Sequence, residues 1–268
     1  MDMWRALKGN PISLMGLMII IALVITAIAA PYVSPYDPLR TDPLRKLAGL
    51  TSAHPMGTDQ LGRDILSRLL YGARISLRIA IIVAVLAGSA GTLIGILCGY
   101  FRGAIDNILM RFTDICMAFP QLILAMAISS ALGPSLENVV IAISLTEWTF
   151  FARLARSRAI AIREEDYVEA ARALGANRWR ILFQHVFPGC LSPVIIQLTL
   201  EMGAIIRTAA SLGFLGLGAQ PPTPEWGVMV TAGRNYLPGQ WWVSTFPGLA
   251  IFLTVLGFNL LGDGIRDI

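Results

Sequence analysis

Charge is scarce in this chain: of its 268 residues only 14% are Asp, Glu, Lys or Arg, against 55% hydrophobic. With a mean hydropathy of +0.66, that balance excludes an ordinary soluble domain and makes lipid the solvent for most of the chain. Histidine is confined to His54 and His185, and cysteine to Cys98, Cys116 and Cys190. None of these stands at ligand-like spacing, so no metal site is expected and the cysteines read as packing residues. No Gly-x-x-x-x-Gly-Lys-Ser/Thr sequence occurs, and the glycine-rich residues 88–99 contain no lysine, so the chain should not bind and hydrolyse ATP itself. The serines lack a Gly-x-Ser-x-Gly setting, and no residue is expected to be catalytic. No internal repeat divides the chain into the matching halves of many ion-coupled carriers, which weighs against a self-sufficient carrier.

What is abundant is apolar sequence in separate blocks. Residues 12–30, 79–101, 115–132 and 241–262 carry no charge, and each can cross a hydrocarbon core of roughly 30 Å as a helix. Residues 138–152 and 189–206 hold one acid each, Glu147 and Glu201. The expected fold is therefore an all-α membrane protein of six transmembrane helices. The first block is longer than a signal-peptide core of roughly 7 to 15 residues and ends at Pro31-Tyr32 without an obvious small-x-small site in a polar context, so it reads as a retained anchor. Six spans put both termini on one side. An N-in arrangement places Arg5, Lys8, Arg102, Arg111, the arginines from Arg153 to Arg180, and Arg266 inside. It leaves the basic residues of the long first loop and Arg234 outside, and the bias favours cytoplasmic termini.

Residues 31–55 are rich in Pro and Asp and suggest an extended, turn-punctuated outer spacer. From Asp59 onward, Ile65, Leu66, Leu69 and Leu70 recur at helical spacing among charges, which suits a short helix lying at the interface before the second span. Within that span Gly88, Gly91, Gly95 and Gly99 bare one face for close approach of a neighbouring helix, a packing feature found in many bundles. After the fifth span, the Pro-rich run 221–227 and Trp241-Trp242 suggest a firm outer surface with both tryptophans at headgroup level.

The most informative segment is residues 163–188, between the fourth and fifth spans. It reads as two short helices joined by a turn. Glu164, Glu165 and Asp166 favour the first helix's N-terminus, and Gly175 can take the left-handed conformation that ends it. Asn177 offers an N-cap for a second helix that runs through Trp179, Ile181 and Leu182 to Pro188. A slim helix tied at both ends to spans could act as a lever for a docked protein; the same segment could also rest on anionic headgroups.

Resemblance separates these readings. Glu169-Ala170-Ala171, with Gly175 four residues after Ala171 and Pro188 thirteen after the glycine, resembles the EAA motif of permease subunits of binding-protein-dependent ABC importers. That family usually has Ile and Leu three and one residues before the proline, where this chain has His185 and Phe187. Asn10-Pro11, Ala30-Pro31, Tyr36-Asp37-Pro38, Gly57-Thr58-Asp59, Gly62-Arg63-Asp64, residues 214–218, Pro224-Glu225-Trp226-Gly227, Phe258-Asn259-Leu260 and Gly262-Asp263 narrow the likeness to the dipeptide/oligopeptide/nickel branch. Within it the chain is similar to the C-type permeases of dipeptide, D,D-dipeptide and glutathione importers.

The resemblance implies a type I importer permease with six spans and cytoplasmic termini in the bacterial inner membrane. It implies an N-terminal anchor and outer segment (1–72) and a permease core (73–268) carrying a coupling loop at about 153–188. The implied partners are a homologous second permease, two ATPase subunits that bind ATP and Mg, and a substrate-binding protein; the implied cargo is a small peptide, with nickel as the rival. Ion-coupled carriage with Glu147 or Glu201 moving protons is the alternative from another class. Asp114, Glu147, Glu201 and Arg207 stand within or at the edges of spans, where an unpaired charge is costly, so they should face protein or a water-filled path. Glu147, Glu201 and Arg207 are the candidate path residues, although Glu201 and Arg207 could instead pair within the bundle.

Overall fold

Long apolar runs become long helices because a backbone in lipid must satisfy its own hydrogen bonds. A computed structural model describes residues 11–266. The expectations for Arg5, Lys8 and Asn10, and for the side chain of Arg266, lie outside the described residues. Nine helices occur among the described residues: α1 (Pro11–Val33), α2 (Ile65–Phe101), α3 (Ala104–Ala118), α4 (Gln121–Leu132), α5 (Leu136–Arg163), α6 (Asp166–Ala173), α7 (Arg178–Phe214), α8 (Trp226–Gly233) and α9 (Trp242–Arg266). The all-α expectation holds. Helices α1, α2, α7 and α9 are long and apolar enough to cross a membrane, and α3 with α4 makes a fifth if the bent pair is one span. Helix α5 contains residues 138–152, but Glu137, Glu147 and the arginines from Arg153 onward interrupt its apolar run.

Three expectations need correction. Residues 115–132 do not form one straight span: α3 stops at Ala118, Phe119 is extended (φ −87°, ψ 141°), and α4 departs at 95°. Pro120 is the cause, since it lacks the N–H that would continue α3 and steers the residue before it out of the helical region. The short interfacial helix expected before the second span is instead the first turns of α2, which runs unbroken for 37 residues. The outer spacer, 31–55, is tied by hydrogen bonds to the residues after it, Asp42 N donating to the Leu61 carbonyl at 3.1 Å and Leu47 N to the Asp59 carbonyl at 3.0 Å, and the two segments form one knot. Buried Asp59 accepts from Arg63 Nε at 2.6 Å and lies 3.7 Å from Arg68 Nε. Buried Asp64 accepts from Ser67 N and Oγ at 2.7 and 2.6 Å and meets His54 Nδ1 at 2.9 Å. Arg45, which can only donate, stands 3.1 Å from His54 Nε2, so the ring's proton sits on Nδ1 toward Asp64. Buried carboxylates need such partners.

The outer tryptophans divide in role. Trp241 is 49% exposed, as a headgroup residue should be. Trp242 instead packs its ring on Gly57 and donates its indole N–H to the Thr58 carbonyl at 3.3 Å. Trp226 does the same against Gly72 and Leu69, at 3.1 Å. Glu225 caps α8, accepting from the N–H groups of Gly227 and Val228 at 2.8 and 2.9 Å. Burial pushes its carboxyl up to about 7 in spite of those two bonds, which pull the other way.

The chain forms two compact units. The first comprises the described parts of Met1–Ile82, Ile128–Ile141 and Thr199–Ile268. In it α1 lies against α9, where Gly16 meets the backbone at Gly257 and Leu261, and α9 lies against α7 through Gly203 and Gly262. The second comprises Val83–Ala127 and Ala142–Leu198. Here the glycine stripe does what the sequence suggests: a Cβ on Gly91 would overlap the Trp148 carbonyl, one on Gly95 the Ala152 carbonyl, and one on Gly99 would lie 2.6 Å from the Arg156 carbonyl. Helices α2 and α5 therefore touch backbone to backbone. Gly88 differs in meeting only the end of the Leu198 side chain.

Candidate functional site

The segment joining α5 to α7 is built by local rules. Asp166 and Glu169 stand in the first turn of α6, where the helix dipole favours negative charge. The helix ends in a Schellman motif: the Gly175 N–H donates to the Arg172 carbonyl (3.0 Å) and the Ala176 N–H to the Ala171 carbonyl (3.1 Å). Gly175 holds φ at +84°, and open space surrounds its α-carbon, so glycine is required by conformation and not by crowding. Asn177 then caps α7, its side chain accepting from Trp179 N at 3.3 Å.

One side of this segment is clamped and the other is free. Fully buried Val168 joins a cluster with Ile96 and Tyr100 of α2, Ala155 and Ala159 of α5, and Ile181, Leu182 and Val186 of α7. The Tyr100 hydroxyl donates to the Arg178 carbonyl at 2.9 Å, and an exposed pair joins Arg102 to Glu164 at 2.8 Å. Burying each large apolar side chain stabilises this junction by about 2 kcal/mol. On the other side Glu169, Ala170, Arg172, Ala173 and Gly175 are exposed, and Ala171 is half-buried. Beside them lie Leu174 (89% exposed), Trp179 and Phe183, the two rings stacked at 6.1 Å. Large apolar side chains left bare next to charges mark a contact surface.

Pro188 does not end the second helix. Residues Leu182–Val186 form a π turn, in which the Phe187 N–H reaches the Leu182 carbonyl, and a new α-helical run begins at Phe187. The wide turn places Pro188 in the first turn of that run, where a missing N–H costs nothing. The loop is thereby continuous with the long helix α7.

The candidate path residues fall in different units. Glu147 is 2% exposed within α5 of the second unit. Glu201 is half-buried and Arg207 exposed on the part of α7 that belongs to the first unit. Six residues apart on one helix, they are separated by roughly 9 Å along the axis and about 120° around it. Asp114 pairs with Arg153. Sequence reading missed a second clamp between α3 and α5: Asp106, buried, accepts from Arg156 Nε and Nη2 at 2.6 and 2.8 Å. The partners stand fifty residues apart in sequence, and no local pattern announces the pair.

Comparison with known proteins agrees with this architecture. Residues 91–268 match the family described as binding-protein-dependent transport system inner membrane component. Residues 1–50 match the N-terminal TM domain of oligopeptide transport permease C. The chain is 45% identical to the probable D,D-dipeptide transport system permease protein DdpC of Escherichia coli (strain K12), over 98% of this chain and 88% of that protein. It is 44% identical to the di/tripeptide transport system permease protein DppC of Pseudomonas aeruginosa (strain UCBPP-PA14), over 99% and 90%. It is 43% identical to the glutathione transport system permease protein GsiD of Pectobacterium atrosepticum, over 99% and 89%. The chain belongs to the family of binding-protein-dependent transport system inner membrane components.

Proposed function

We propose that this chain is the C-type permease subunit of an ATP-driven importer, forming with a homologous second permease the path by which di- or oligopeptides cross the bacterial inner membrane. Support for the cargo comes from relatives named as dipeptide, di/tripeptide and glutathione transport permeases. In this reading α1, α2, the bent pair α3–α4, α5, α7 and α9 are six spans, and both termini face the cytoplasm. A binding protein delivers cargo at the outer face. Two ATPase subunits, which carry ATP and Mg, grip the segment 164–188.

The observation that carries the mechanism is the build of α6. Its exposed face bears Glu169, Ala170 and Gly175, while Val168 keys the opposite face into one cluster with α2, α5 and α7. A push on α6 by closing ATPases cannot be absorbed locally, because a close-packed cluster transmits displacement. It moves three helices together, and ATP binding selects one of two arrangements of the path. The Gly175 turn sets the direction of the lever, and the π turn before Pro188 joins it to α7 without a loop. The chain itself performs no chemistry.

Purification of the tagged chain from native membranes in mild detergent tests this reading. A pair of ATPases and a second permease should co-purify, and the ATPases should be lost when Leu174 and Trp179 are changed to Asp. A chain recovered alone that moves solute in liposomes without ATP, and stops with an uncoupler, would make it an ion-coupled carrier instead.

A further inference from the structure

An open cavity of about 390 Å³ lies in the first unit. Arg78 of α2 and Glu137 in the first turn of α5 both line it, with Ser135 just before α5, Gln220 and Thr223 from the turn between α7 and α8, and Ile75 one turn from Arg78. The buried carboxylates Asp59, Asp64 and Asp106 are paired with Arg63, His54 and Arg156. Arg78 and Glu137 are not paired. Both are exposed, and neither makes an ion pair among the described residues. Two opposite charges share one cavity and are left unsatisfied by the protein.

We infer that this cavity receives the two charged ends of the transported peptide, the carboxylate at Arg78 and the ammonium at Glu137. This rests on the peptide-import reading above. A guanidinium presents a planar fork of donors that matches a carboxylate, and a carboxylate accepts from an ammonium. The neutral neighbours fit the same division. Gln220 spends its Nε2 donors on the carbonyls of Gly216 and Gly218, at 3.3 and 2.9 Å, leaving Oε1 as a further acceptor for the ammonium. Ser135 Oγ accepts from Asn138 N at 3.0 Å, leaving its hydroxyl proton free to donate to a peptide oxygen. A volume of 390 Å³ stands near the lower end of ligand cavities, roughly 300 to 1,000 Å³. An extended dipeptide places its charged ends roughly 7 Å apart. A simple cation or anion would satisfy one side and strand the other, so the site selects zwitterions. In the proposed orientation the start of α2, the α4–α5 turn and the α7–α8 turn all lie at the outer face, where a binding protein releases cargo.

The test uses the complete importer in proteoliposomes, with its binding protein saturated by a tritiated dipeptide or by the same dipeptide amidated at its C-terminus. Arg78→Gln should lower uptake of the free acid on the order of tenfold, the loss expected for a hydrogen-bonded charge contact. Uptake of the amide should be nearly unchanged, and Arg78→Lys should restore most of the free-acid uptake. Glu137→Gln should lower uptake of both, because both keep the ammonium. Equal recovery of partner subunits from each variant would show that assembly is intact. Wild-type rates for both cargoes in Arg78→Gln and Glu137→Gln would overturn the inference while leaving the peptide-import reading standing. Failure of the wild-type importer to take up either peptide would overturn that reading itself.

Discussion

Replacing Gly95 by alanine sets two known effects against each other. In a helix the change alone is favourable by about 1 kcal/mol, since alanine has less backbone freedom to lose. At Gly95 the added methyl would overlap the Ala152 carbonyl and stand 2.9 Å from both the Ala155 Cβ and the Arg156 nitrogen. Non-bonded carbons rest at about 3.5 to 4.0 Å, so α2 and α5 would have to part by roughly 1 Å. Both are stiff helices, and the contacts at Gly91 and Gly99 would open with them. Overpacking of this kind costs about 1–3 kcal/mol, and the net expectation for Gly95→Ala is a loss of about 1 kcal/mol or more. Gly248 of α9 provides the opposing case: nothing lies within 4 Å of its added Cβ, so Gly248→Ala should keep the gain. Thermal unfolding in detergent, followed by a thiol-reactive dye, should show Gly95→Ala melting below the parent and Gly248→Ala at or above it. A Gly95→Ala protein as stable as the Gly248→Ala protein would refute the backbone contact between α2 and α5.

Arg156→Ala should destabilise by roughly 3 kcal/mol because it leaves Asp106 buried without its partner, and adding Asp106→Asn should recover part of that loss in the same assay. The buried Glu225 carboxyl, pushed up from 4.5 to about 7, holds an extra proton in the folded state between those values. Its contribution is therefore fully favourable below pH 4.5 and falls by about 3 kcal/mol as pH rises through 7. The melting temperature should decline over that range in the parent and less so in Glu225→Gln; equal slopes would count against it. Gly175→Ala, with open space around it, should cost only the left-handed backbone penalty of about 1 kcal/mol and leave the subunit folded.

What the sequence reveals here depends on how local the deciding physics is. The Gly175 turn and the Asn177 cap each follow from residues within a turn or two, and each is found. The break at Phe119-Pro120 was equally local, and the apolar run masked it: a proline inside a hydrophobic block still ends α3. The same residue type misled at Pro188, because a π turn that no composition rule foretells lets the helix pass. The outer segment looks like a spacer when read for turns, yet Asp59 just after it is buried against Arg63 and against Arg68 of α2. The least legible features join distant segments: Asp106 with Arg156, and Arg78 with Glu137 around one cavity. Neither pair leaves any spacing in the chain.

In the proposed function the segment around α6 couples this subunit to ATPases that drive peptide import. The most direct test of that coupling is ATP-dependent uptake of a labelled dipeptide by the assembled importer carrying Gly175→Pro. Proline fixes φ near −65° where the chain needs +84°, and it removes the N–H that donates to the Arg172 carbonyl. The two permeases should still assemble while the ATPases detach and uptake falls to the level seen without ATP. Full ATP-driven uptake by the Gly175→Pro importer would contradict that coupling.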